Sequence, residues 1–337
     1  MHDSSLVVEL FGAVDQGEIA HMVSSWCLRE LGSPVRRDLF SVAGVGWTLG
    51  IELHDGRCVV VKAVRPDQPV ARLRAMQEVQ RVLVADGFPA PTPIAGPARL
   101  ANGMAFAEEL RDVGAVPNGH LPGHRREMAN QLARLVEVSA KAAPATRARL
   151  DLGRPAWADY LKEDLWPIPH RRDADFTATG EGSEVLDELA RVSKAVLCAA
   201  RDTNSIIGHA DWEAQNLRFE NDRLAMVYDW DSLVVEHETV IVGMASAVFP
   251  ARAEPGLGDV PTEAEQDAFL TDYQDTADRV FTQIERTVAI AAASWVTAYN
   301  ARLQFSAWRR PPEERGGSHL DNAPLMLDRL HRTITRC

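Results

Sequence analysis

At 337 residues, 46% hydrophobic and 25% charged, with 22 glycines and 19 prolines spread along its length, the chain has the composition of a globular protein. Collagenous, low-complexity and wholly disordered architectures are excluded. A net charge of −12 argues against a nucleic-acid binder, which needs a basic footprint to neutralise phosphates, and leaves room for a cationic small partner.

The opening residues, MHDSSLVVELFG, show neither the basic start nor the long apolar run of a signal peptide, so a cytoplasmic protein is expected. Cys27, Cys58, Cys198 and Cys337 are far apart and form no C-x-x-C pair, which predicts neither zinc nor a disulfide framework. From Phe40 to Val64 the chain alternates, is rich in Val, and is punctuated by Gly44, Gly46, Gly50 and the turn His54-Asp55-Gly56; this predicts antiparallel strands. Residues 70–86 place Ala75, Met76, Val79, Val82 and Leu83 at helical spacing. Short β stretches follow at Ile94–Leu100 and Met104–Leu110, and a lobe boundary is expected near residues 108–112. Beyond it the periodicity predicts helices over 124–140, 184–201, 263–286 and 287–304. The apolar run from Val288 to Tyr299 is too short to span a membrane and reads as a buried helix, so no membrane partner is expected.

One stretch interrupts the helices, IIGHADWEAQNLRFENDRLAMVYDWD. His209-Ala210-Asp211 precedes Asn216 with D-x-x-x-x-N spacing, and a hairpin later comes Asp229-Trp230-Asp231. Phosphoryl transfer needs this set: a carboxylate for the attacking hydroxyl, and an Asn and an Asp to hold Mg²⁺ against nucleotide phosphates. The stretch resembles the catalytic loop and metal-binding element of the protein-kinase-like fold, most closely the aminoglycoside phosphotransferase and choline kinase group. The resemblance implies Asp211 as the base or hydroxyl-orienting carboxylate and His209 as a residue ordering the catalytic loop. It further implies Asn216 and Asp229 as metal ligands, with Asp231 either supporting the metal or holding the backbone. Ala210 stands where relatives usually have Gly.

The first half carries features of the same resemblance. Lys62, one of only four lysines, sits mid-strand in Cys58-Val59-Val60-Val61-Lys62-Ala63-Val64, like the family lysine that contacts nucleotide phosphates. Glu78, sixteen residues on, is the only acid between Asp67 and Asp86, and the resemblance implies a Lys62–Glu78 ion pair. Gly44 and Gly46 would form the loop over the phosphates, although Leu49 replaces the third glycine of G-x-G-x-x-G. Glu108, Glu109 and Leu110 occupy the place of the inter-lobe hinge that pairs with the nucleobase.

The resulting expectation is an α+β, bilobal protein-kinase-like fold. Residues 1–110 form an N-lobe with an antiparallel sheet and one main helix, and residues 111–337 a mainly helical C-lobe. The activity implied is transfer of the γ-phosphate of ATP or GTP, with Mg²⁺, to a hydroxyl of an aminoglycoside-like or other small acceptor. A metabolic amino-alcohol, amino-acid or sugar kinase and an inactive nucleotide-binding scaffold are the alternatives. No A-P-E segment follows Asp229 and no G-x-x-x-x-G-K-[ST] occurs, which disfavours a protein kinase and a P-loop kinase. Between Ala253 and Arg286, nine acids face two arginines. That run would suit an amine-rich acceptor or form a solvated helix face. Trp157, Trp166 and Trp230 would stack on a sugar or pack internally.

Overall fold

The computed structural model describes residues 4–12, 15–200, 205–252, 260–306 and 318–336. The chain forms two compact units, Met1–Asp112 with Ala142–Gly153, and Val113–Lys141 with Arg154–Cys337.

The first unit opens with α1 (Ser4–Phe11) and α2 (Gln16–Leu31), which the periodicity reading left unassigned. The signals of α2 lie in its caps: the Asp15 carboxylate accepts from the Glu18 N–H at 2.9 Å, and Gly32 closes the helix at φ 78°. Next come β1 (Val35–Ala43), β2 (Trp47–Leu53), β3 (Cys58–Val64), α3 (Val70–Ala85), β4 (Pro93–Leu100) and β5 (Gly103–Glu109). The five strands form one antiparallel sheet in the order β1-β2-β3-β5-β4. Alternation assigns its two faces. Leu49, Ile51, Val59, Val61, Ala63, Ala105 and Ala107 form a core with Leu6, Leu10, Val23 and Trp26 of α1 and α2. Phe40, Thr48, Val60, Lys62, Phe106 and Glu108 point the other way, as the ladder pairs Phe40–Gly50–Val60–Glu108 and Thr48–Lys62–Phe106 require. Helix α3 ties to the β4 and β5 side of the sheet: Gln77 donates to the Ala95 carbonyl at 3.0 Å, and Gln80 to the Pro91 carbonyl at 2.7 Å and to Glu108 at 3.0 Å.

The second unit begins with α4 (Pro122–Ser139), after which the chain supplies α5 (Pro144–Leu150) to the first unit. This departs from the expectation that everything after residue 110 forms one lobe; α5 packs on α3, a tertiary pairing without a local signature. The second unit resumes with α6 (Ser183–Ala199), β6 (Ser205–His209), β7 (Leu217–Glu220), β8 (Arg223–Val227), β9 (Leu233–His237) and α7 (Glu238–Val248), then α8 (Glu263–Ala277), α9 (Gln283–Ser306) and α10 (Ser318–Ile334). Strand β6 pairs with β9, and β7 with β8. Helices α6, α7 and α10 all pack on α9, whose residues 287–299 are buried throughout. Among the described residues no helix is long and apolar enough to cross a membrane.

The break between α8 and α9 falls at residues 278–282, earlier than the periodicity predicts. Its signal is a repeated Thr-x-x-Glu. Thr262 and Glu265 form a full capping box at the start of α8, and Thr282 accepts from the Glu285 N–H at the start of α9. Asp278, at φ 49°, turns the chain between them.

Candidate active site

The site is built on the turn that follows β6. His209 ends that strand, 1% exposed, with its ring edge-on to Trp212 and Trp230. Its Nδ1 accepts from the Asp211 N–H at 3.3 Å and its Nε2 lies 3.2 Å from the Tyr228 carbonyl. A neutral ring protonated on Nε2 satisfies both bonds at once. His209 thereby joins the Asp211 turn to the strand entering Asp229. Ala210 is fixed as well: its N–H donates to the Ser232 carbonyl at 2.9 Å and its carbonyl accepts from the Trp157 indole at 3.0 Å.

Asn216 lies at the end of a short 3₁₀ turn and reaches back. Its Nδ2 donates to the Asp211 carbonyl and to the Asp211 carboxylate, each at 2.9 Å. The amide oxygen, Oδ1, therefore points away from Asp211 as an acceptor. The hairpin of β7 and β8 turns on Asn221 and Asp222, both at positive φ, the requirement of a two-residue turn matching strand twist. It returns the chain to Tyr228, whose N–H donates to the Asn216 carbonyl at 2.8 Å. Asp229 then adopts a left-handed conformation, φ 63° and ψ 47°, which aims its side chain out of the strand direction. Ser232 braces it, donating its N–H to the Asp229 carbonyl at 3.1 Å and its hydroxyl to Oδ2 at 3.2 Å.

Burial raises the Asp211 pKa from 3.8 to about 6; the Asn216 hydrogen bond opposes that rise and the like charge of Asp231 adds to it. Two carboxylates that repel each other across a turn, beside a free amide oxygen, make a donor set suited to a hard cation. Magnesium typically takes one or two carboxylates and completes its shell with phosphate oxygens and water. Among the described residues no cluster of three or more His, Cys, Asp or Glu has metal-binding geometry.

In the first unit, Lys62 is 7% exposed and lies between Thr48 and Phe106 in the ladder. Glu78 does not pair with it. The Glu78 carboxylate accepts from the Thr146 hydroxyl and from Arg149, each at 2.6 Å, both on α5, and the Thr146 bond leads the effects holding its pKa down. The implied Lys62–Glu78 pair is thus corrected: α5 packs on α3 and captures the acid. Gly44 and Gly46 form the β1–β2 turn, closed by the Gly44 N–H donating to the Gly46 carbonyl at 2.8 Å. A Cβ at residue 46 would press on the Ala63 carbonyl, 2.5 Å away. Arg65 reaches the same turn at the Val45 carbonyl, a tether that sequence reading missed. Glu108 is 3% exposed and lies within β5, while the N–H groups of Glu109 and Leu110 donate to the Thr92 and Cys58 carbonyls. Those two N–H groups are engaged within the unit and are not donors for a nucleobase.

Of the seven described acids in the run, five are in ion pairs, and Asp275 and Asp278 are exposed. Glu263 pairs with Arg332 and Arg329, Glu265 with His120, Asp267 with Arg286 and Arg329, Asp272 with Arg125 and Arg126, and Glu285 with Arg279. Glu254 and Asp259 lie outside the described residues. The tryptophans are likewise engaged: the indole N–H groups of Trp157, Trp166 and Trp230 donate to Ala210, Asp187 and Val227.

A family model described as "Phosphotransferase enzyme family" matches residues 51–278. No curated protein matches the chain. Among solved structures, an amicoumacin kinase, hAmiN, in complex with AMP-PNP, Ca²⁺ and Ami superposes with a TM-score of 0.67 at 11% identity, covering 98% of this chain and 99% of that one. Spectinomycin phosphotransferase APH(9)-Ia, in complex with ADP and spectinomycin, gives 0.54 at 11% identity, covering 93% and 98%. A macrolide 2'-phosphotransferase type I gives 0.55 at 16% identity, with the same coverage. The arrangement of an antiparallel N-terminal sheet followed by a helical region is shared with these structures.

Proposed function

Because this chain belongs to the phosphotransferase enzyme family, its model matching residues 51–278, we propose that it transfers the γ-phosphoryl group of ATP or GTP to a hydroxyl of a small molecule. The observation that carries this reading is the pair of hydrogen bonds that Asn216 donates to Asp211. It fixes the carboxylate at a strand end and leaves the amide oxygen turned outward.

The acceptor hydroxyl donates to the Asp211 carboxylate, which orients the oxygen and takes its proton as the oxygen bonds to the γ-phosphorus. The bond from that phosphorus to the β–γ bridging oxygen breaks in line, and the nucleoside diphosphate departs with its electrons. Asn216 and Asp229 would hold Mg²⁺, with Asp231 in support, and the ion would supply positive charge against the phosphate oxygens. Lys62 offsets the remaining phosphate charge from its place in β3. His209 keeps Asp211 and Asp229 in register without touching the reactants. A cytoplasmic location is part of this reading, since ATP and GTP are supplied there.

The solved relatives act, by their names, on amicoumacin, spectinomycin and macrolides. For this chain the acceptor class proposed is an antibiotic-like or sugar-like alcohol. The acidic run of α8 and α9 offers little help in choosing an amine-rich one, because five of its seven described carboxylates are engaged by arginines or a histidine. A screen of aminoglycosides, spectinomycin, macrolides, amino sugars and choline-like alcohols, with coupled detection of ADP and GDP, tests the reading. Acceptor-dependent release of diphosphate is expected. Nucleotide binding without transfer to any acceptor would favour the scaffold alternative, and no nucleotide binding at all would end the proposal.

A further inference from the structure

The direction of the Asp211 side chain is set by hydrogen bonds that come from two places in the chain. A peptide unit is planar, so holding both its N–H and its C=O fixes its orientation. The unit joining Ala210 to Asp211 is held at both ends: the Asp211 N–H donates to His209 Nδ1 at 3.3 Å, and the Ala210 carbonyl accepts from the Trp157 indole at 3.0 Å. In the following unit the Asp211 carbonyl accepts from the Glu213 N–H at 3.0 Å and from Asn216 at 2.9 Å. With the planes on either side of its Cα set, the direction of the Asp211 Cβ is set as well. His209, Glu213 and Asn216 belong to the same loop as Asp211, whereas Trp157 stands 53 residues before Ala210.

Trp157 is itself held on several sides. It lies in a 3₁₀ turn over Ala156–Ala158, and its carbonyl accepts from the indole N–H of Trp295, in the buried part of α9, at 2.8 Å. Its ring meets the His170 ring edge-on, with 5.4 Å between centroids, and His170 stacks on Tyr299, also of α9. Just before the turn, Arg154 bonds to Glu236 and to the Val235 carbonyl of β9, the strand paired with β6. The segment from Arg154 to Trp157 is therefore fastened to β9 at one end and to the turn after β6 at the other. A buried indole N–H needs an acceptor, and for packing alone any nearby carbonyl would serve. Here the acceptor is the carbonyl whose peptide plane also carries the Asp211 N–H.

We infer that Trp157 is a positioning residue for Asp211: its indole N–H holds the Ala210–Asp211 peptide so that the carboxylate faces the acceptor hydroxyl. The inference rests on the phosphotransfer reading given above and adds to it a residue outside the D-x-x-x-x-N pattern. Trp157 acts through the peptide and not on the reactants.

Trp157→Phe keeps a ring and removes the donor. Turnover of the acceptor found by the screen is expected to fall roughly ten- to a hundredfold with the nucleotide KM unchanged, since moving a catalytic group by about 1 Å is enough for a loss of that size. Amide exchange followed by NMR separates positioning from packing. The Asp211 N–H is expected to exchange about tenfold faster in the variant, while the N–H groups of the β6–β9 ladder keep their rates. In an Asp211→Asn background the same substitution should cost nothing further, because no carboxylate is left to place. Equal losses in the two backgrounds overturn the inference, as do turnover within twofold of wild type and unchanged exchange at Asp211. If circular dichroism shows that Trp157→Phe does not fold, Trp295→Phe carries the test. It removes the bond behind the Trp157 carbonyl and is expected to move turnover and Asp211 exchange in the same direction by a smaller factor; no movement in either overturns the inference. A wild type that releases diphosphate with no acceptor removes the proposed function and this role with it, whereas an active wild type matched by Trp157→Phe removes the inference alone.

Discussion

Asp211 combines two properties that ordinarily conflict. Burial raises its pKa to about 6, so keeping it ionised at neutral pH costs folding free energy, and that cost is present above its folded pKa. Asp211→Asn preserves an acceptor for Asn216 while removing the charge. Turnover is expected to fall by two or more orders of magnitude, and thermal denaturation at pH 7.5 to show a gain of about 1–3 kcal/mol. Wild-type turnover in that variant would remove Asp211 from the chemistry. Lys62 and Glu78 separate in the same way. Lys62→Ala is expected to weaken nucleotide binding at least tenfold. Glu78→Gln, whose native partners are Thr146 and Arg149, should change it less than threefold, as titration calorimetry would show. An equal loss from both substitutions would restore the Lys62–Glu78 pairing that the resemblance implied. At this scale the pairing of Asn216 with Asp211 was legible, since both lie within one turn; the partner of Glu78 was not, because it comes from 68–71 residues away.

Among the elements, strands were easier to read than helix ends. The alternation from Phe40 to Val64 predicts strands because β2 and β3 bury one face against α1 and α2, while β1 is exposed and is held by its ladder to β2; the hairpin at Asn221-Asp222 follows from its turn residues. Helix α7 escaped the periodicity reading because it is buried all round, so it shows no polar face to give it away. Helix α10 carries a testable liability. His319, in its first turn, is buried, and burial lowers the imidazole pKa from 6.5 to about 4. The unfolded chain binds a proton that the folded one refuses, so this contribution is intact above about pH 6.5 and is lost as pH falls towards about 4. His319→Gln should remove that term. In urea titrations the stability of the variant relative to wild type is expected to improve by about 3 kcal/mol between pH 7.5 and pH 4. A difference that stays constant with pH would show that His319 does not titrate in a buried site.

For the molecule as a whole, the family relation and the likeness to amicoumacin, spectinomycin and macrolide phosphotransferases give the reaction class, while the acceptor has to be found by assay. A ligand that binds only the folded chain stabilises it by mass action. Magnesium nucleotide at a hundred times its Kd should therefore add about 2.7 kcal/mol, read as a concentration-dependent rise in Tm. No rise with either ATP or GTP would count against a nucleotide site anywhere in the chain. The composition argues against a nucleic-acid binder and a disulfide-built domain. What the linear chain determined by itself is the choice of groups for the proposed chemistry, because Lys62 stands out within one strand and the residues from His209 to Asp231 by their spacing along one loop and hairpin. Only the tertiary structure decided which charges remain available. Whether an acid meets an arginine, as Glu78, Asp267 and Asp272 do, or an indole meets a carbonyl, as Trp157 does, depends on segments distant in sequence coming within a few ångströms, and no local pattern encodes that approach.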